Sequence, residues 1–99
     1  MSESPLKVLE KLDPKLLEVV ESTRDLALAD GALPRKFKLL IAMTLDASHG
    51  AVGGVKSLAQ AAIQAGATKD EIGEALRVAQ YVCGVGSVYT AANALKDLP

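Results

Sequence analysis

A chain of 99 residues has room for a single domain over 1–99, and a domain of that size exposes so much surface that it is marginal unless its core is extended. Eleven basic against twelve acidic residues, scattered along the chain, exclude an electrostatic nucleic-acid binder, and an apolar content of 49% excludes a disordered chain. One cysteine, Cys83, excludes an intrachain disulfide, a C-x-x-C redox pair and any zinc site built on several thiolates; no metal site is expected.

The amino terminus has an acid at Glu3 and no uninterrupted apolar run, so it does not read as a secretory signal, and a cytoplasmic protein is expected. Asp13-Pro14 then supplies a cap and a proline for the first helical position. The helix from there puts Leu16, Val20, Thr23 and Ala27 on one face, until Asp30-Gly31 stops it. A second helix starts at Pro34, carries Phe37, Leu40, Ile41, Thr44 and Leu45 at helical spacing, and ends before Gly50. The glycine-rich joint Gly50–Gly54 leads into a third, whose core face is Val55, Leu58, Ala59, Ala62 and Ile63, with Lys56, Gln60 and Gln64 outward and Gly66 closing it. Thr68 and Glu71 have the spacing of a capping box, and the helix they open turns Ile72, Ala75, Leu76 and Ala79 inward. Gly84 and Gly86 break or kink the path before a last helix that runs to about Asp97, with Ser87, Ala91 and Ala94 on one stripe. No segment alternates with period two, so the expected fold class is all-α, a compact bundle of about five helices.

Residues 1–38 hold 14 of the 23 charged residues, which places burial in the remainder. Val78–Leu95 carries no charge over 18 residues, but Gln80, Ser87, Thr90 and Asn93 make it too polar for a bilayer, and no basic cluster flanks it. It reads as a segment buried in a bundle or in a subunit interface. The apolar half of the chain is also small-grained: 16 Ala and eight Gly against three aromatic rings imply close backbone approach.

Leu33-Pro34, the run Leu39–Met43, the segment Ala61–Thr68, Asp70-Glu71-Ile72 with Ala75-Leu76, and the Gly- and Ala-rich last helix together resemble the carboxymuconolactone decarboxylase and alkylhydroperoxidase D-like family over about residues 33–96. That resemblance implies a helical subunit in a trimer or hexamer. It also implies either peroxide reduction through C-x-x-C-x-x-x-H with an upstream glutamate, or cofactor-free, lyase-like decarboxylation of a small lactone acid aided by a histidine. Matched position by position, the two cysteines fall on Ala51 and Gly54, the histidine on Leu58 and the glutamate on Lys38, so the resemblance implies the fold and the assembly without the family's catalytic groups, a degenerate active site. A dithiol peroxidase cannot run without its attacking and resolving thiols.

His49 is the one histidine, and Asp46 at i−3 is placed to orient its imidazole as an acid/base pair; the plainer reading is a helix-terminal His that caps carbonyls or faces water. Lys38 lies on the same face, eleven residues back, at about 16 Å of helical rise. Gly50, Gly53 and Gly54, with Lys38, are candidates to bind a small anionic ligand at the start of the third helix, or the glycines merely make a tight helix–helix turn. A phosphate loop fails because Val55 precedes Lys56, and Gly84-x-Gly86 lacks the third glycine and the strand of a dinucleotide fingerprint. Cys83 reads as an inert space-filler beside apolar neighbours, and Tyr81 and Tyr89 as core or interface residues or pocket walls. Two functions stay open: a decarboxylase-like protein acting on or binding a small organic acid or lactone without a cofactor, or a non-catalytic oligomeric scaffold or partner subunit that keeps the fold.

Overall fold

The computed structural model describes residues 5–98. A short 3-10 turn, Pro5–Val8, and a single helical turn, α1 (Leu9–Leu12), precede five longer helices: α2 (Pro14–Leu28), α3 (Arg35–Ser48), α4 (Val52–Gln64), α5 (Lys69–Cys83) and α6 (Val85–Leu95). The described residues contain no strand. The five expected helices are present, and the 3-10 turn and the one-turn α1, too short to carry a periodic pattern, have no counterpart in the sequence reading. No helix among the described residues is long and apolar enough to cross a membrane.

The boundaries follow local chemistry. Asp13 Oδ1 accepts from the Leu16 amide at 3.1 Å and Pro14 takes the first helical position, as its missing N–H and fixed φ favour. α2 ends at Leu28, two residues before Asp30, because Asp30 turns back to accept from the Arg35 amide and so starts α3. Thr68 and Glu71 close a reciprocal capping box at the head of α5, and Gly84, at φ +86°, separates α5 from α6. Gly86 lies inside α6, so the break is at one glycine rather than two.

α3 packs against α4, α5 and α6, and α6 also lies against α4 and α5, so these four helices make the core. Its members are Leu39, Leu40, Met43 and Ala47 of α3, Val55, Ala59 and Ala62 of α4, Ala67, Ile72 of α5, and Ala91 and Ala94 of α6. Most are alanines, so the helices approach closely and Met43 and Val55, both 0% exposed, fill the centre. Ser87 on the Ala91–Ala94 stripe is buried too, its hydroxyl donating to the Gly84 carbonyl at 2.7 Å. That stripe is bundle core.

Two expectations about faces are corrected. Leu16, Thr23 and Ala27 of α2 are exposed and Val20 is half-buried, because α2 lies mainly against α1 and the start of α3 and reaches the core through Leu28 at its end. In α3 the buried face is Leu39–Leu40–Met43–Ala47, while Phe37, Ile41 and Leu45 point outward as a second apolar stripe. The uncharged stretch is divided in the same way. Ala79, Ser87, Ala91 and Ala94 are buried, but Val78, Tyr81, Val82, Val85 and Tyr89 are exposed, Tyr81 to 87%. Cys83 is exposed as well, which overturns its reading as an inert core filler: it is the last residue of α5, and Gly84 turns the chain away there.

Candidate functional site at the joint between α3 and α4

The chain reverses between α3 and α4 through a hydrogen-bonded stop. The Gly50 amide donates to the Ala47 carbonyl at 3.2 Å and the Ala51 amide to the Asp46 carbonyl at 2.9 Å. With Gly50 at φ +76°, this is a Schellman motif, which needs a residue free of a Cβ penalty at that point. It places His49 as the C-cap of α3, its imidazole exposed, and Asp46 one turn earlier, half-buried. Ala51 is the N-cap of α4 without a side-chain cap bond, and Val52, Gly53 and Gly54 form the first helical turn. The glycine-rich segment is therefore part joint and part helix: α4 begins three residues earlier than the apolar pattern alone suggests.

Asp46 and His49 are three residues apart at the end of α3, yet among the described residues no side-chain hydrogen bond joins them. The Asp46 carboxylate lies instead against Gly54, where a Cβ built on the glycine would collide with it. Nothing crowds Gly53 or Gly50. The structure thus brings His49, Asp46, Gly50, Gly53 and Gly54 to one place. Lys38 is not among them: its ammonium donates to the Ala29 carbonyl at 2.6 Å, tying α3 to the end of α2 at the opposite end of α3 from His49. Of the positions on which the resemblance would put the family's functional residues, Ala51 and Gly54 lie at this joint and Leu58 is half-buried one turn further along α4.

Two open clefts of about 480 Å³ lie elsewhere. One is lined by Lys56, Gln60, Ile63, Ala94, Leu95 and Asp97, and the other by Asp30, Arg35, Lys36, Phe37 and Gly66. Sequence reasoning gave neither, since each joins the end of one helix to a distant segment. Beside the second cleft, Lys36 bonds Glu71 at 3.1 Å and lies 4.9 Å from the centre of the Phe37 ring. The Thr68 amide, donating to Glu71 Oε1 at 2.9 Å, and then Lys36 hold the Glu71 carboxyl below its ordinary range. Among the described residues no three His, Cys, Asp or Glu side chains gather as a metal site.

The carboxymuconolactone decarboxylase family model matches residues 14–97. The structure is similar to the crystal structure of an apo carboxymuconolactone decarboxylase family protein from Legionella pneumophila, with a TM-score of 0.86 and 35% sequence identity over 92% of this chain and 81% of that one. No curated protein matches the sequence.

Proposed function

The chain belongs to the carboxymuconolactone decarboxylase family, and from that premise we propose that it takes a small organic acid or lactone at the α3–α4 joint, with His49 exchanging a proton with it and without dithiol peroxidase chemistry. The observation that carries this reading is the convergence of the one imidazole, the half-buried Asp46 carboxylate and a first helical turn that is open at Gly53 and covered at Gly54 only by Asp46. The Val52 amide donates to the Gly50 carbonyl, which leaves the Gly53 and Gly54 amides at the helix start to suit a carbonyl or carboxylate oxygen. Hydrogen bonds between an acid/base residue and its orienting group are often open in an unliganded protein and tighten around ligand, so the Asp46–His49 separation is compatible with the role. Cofactor-free chemistry suits this set of groups. Lys38 belongs to the site only if its bond to Ala29 opens.

Binding of a panel of small carboxylic acids and lactones, followed by calorimetry, tests the proposal. His49→Ala should weaken any hit about tenfold or more, the loss expected for one hydrogen bond to a charged group. Unchanged affinity in His49→Ala would remove the imidazole from the site. Peroxide consumption that disappears in Cys83→Ser would contradict the absence of thiol chemistry.

The same chain is proposed to self-associate, as a trimer or hexamer. What supports this is the exposure of Val78, Tyr81, Val82, Val85 and Tyr89 inside a stretch without charge, together with the Phe37–Ile41–Leu45 stripe of α3.

A further inference from the structure

Asp46 is the one acidic residue of α3, it stands one turn before the His49 imidazole, and it is half-buried, yet its carboxylate has no hydrogen bond or ion pair among the described residues. It rests over the first turn of α4, on the spot where every residue other than glycine would carry a Cβ. The atoms that such a Cβ would meet are the far end of the Asp46 side chain, whose χ1 has other staggered wells available. An Asp three residues before a helix terminus is a surface neighbour of that terminus. The side chain therefore has two berths: over Gly54, which it occupies, and toward the ring of His49.

We infer that Gly54 is a positioning residue, whose missing side chain holds the Asp46 carboxylate over α4 and off His49, so that a group entering the space over Gly54 delivers the carboxylate to the imidazole. This deepens the reading of the joint as the acid/base site and rests on it. A ligand oxygen or ring settling on the first turn of α4 would pair His49 with its carboxylate in the same event, raising the proton affinity of the imidazole only while ligand is present. The ionisable surroundings of His49 are sparse. On α3 the other charges, Arg35, Lys36 and Lys38, are at the far end of the helix; α4 carries only Lys56, α6 only Tyr89, and α5, which also packs on α3, carries Lys69, Asp70 and Glu71 at the end beside Lys36, then Glu74 and Arg77, and ends in Tyr81 and Cys83. Asp46 is the one acid on α3, α4 and α6.

The inference is testable without any ligand, so failure to find a substrate leaves it standing or falling by itself. The titration midpoint of His49 is followed by NMR in the wild type, Gly54→Ala, Asp46→Asn and the double variant. In Gly54→Ala the alanine methyl takes the place of the entering group, and the midpoint should rise by about one pH unit, the size expected for a carboxylate brought to within about 4–6 Å. The rise should be absent in Gly54→Ala/Asp46→Asn, a control that a general loosening of the helix start would not satisfy. A midpoint in folded Gly54→Ala equal to that of the wild type would overturn the inference, as would a rise that survives in the double variant. If Gly54→Ala does not fold, Asp46→Asn decides alone: a midpoint close to the wild type supports a parked carboxylate, and a fall of about one unit means that Asp46 already reaches the ring and overturns it.

Discussion

At the scale of single residues, the joint is held by a few positions whose substitutions separate stability from function. Gly50 sits at φ +76° as the residue after the C-cap of α3, a conformation that costs a side-chain-bearing residue about 1–2 kcal/mol. Gly50→Ala should lower stability by about that amount in chemical denaturation, through the backbone alone, since the space around this glycine is open to a methyl group. His49→Ala should leave stability within about 0.5 kcal/mol, since its ring is exposed. Met43 is the opposite case. It is 0% exposed at the centre of a core made mostly of alanines, which cannot collapse into the hole, and Met43→Ala should cost about 2–5 kcal/mol. His49 and Gly50 were legible in the sequence as a helix end followed by its stop. The parking of Asp46 on Gly54 was not, because it depends on how α4 lies against the end of α3, and nothing in the spacing of Gly50, Gly53 and Gly54 says which one faces a carboxylate.

At the scale of elements, caps wrote most of the boundaries. Asp13-Pro14 and the Thr68–Glu71 box are chemical signals confined to four residues, which is why they could be read without the fold. Thr68→Ala should destabilise by about 1 kcal/mol, the usual worth of an N-cap. The Glu71 carboxyl, held below 4.5 by the Thr68 amide and Lys36, also sets a pH dependence. A carboxyl whose value falls on folding contributes stability that is complete above its unfolded value and is lost as pH drops through the folded one. Acid titration of the unfolding midpoint should therefore steepen below about pH 4.5, and Glu71→Gln should flatten that part of the curve. Which face of a helix is buried was less legible. α3 has two apolar stripes, and periodicity could not tell the one that meets α4, α5 and α6 from the one left outside. In α2 the apolar spacing is regular, but the helix stands at the margin of the bundle and hides little of it.

At the scale of the whole molecule, a small-grained interior coexists with an apolar exterior. The alanines and glycines that stood out in the composition serve close approach among α3, α4, α5 and α6, and larger side chains such as Tyr81, Val82 and Leu45 are left outside. Burying that exterior between copies is the proposed origin of self-association. Sedimentation should show an assembly for the wild type and a shift toward monomer for Tyr81→Glu, because a charge placed at the centre of an apolar contact is costly to desolvate. A wild type that stays monomeric at high concentration would contradict it.

The central claim is that the α3–α4 joint is where this chain meets its small-molecule ligand. It is tested most directly by mapping amide and imidazole NMR shifts on the wild-type protein as small carboxylic acids and lactones are added. Saturable movement of the His49 ring together with the Gly53 and Gly54 amides is the predicted result. Saturable movement confined to the cleft of Lys56, Gln60 and Asp97, with His49 silent, would contradict it.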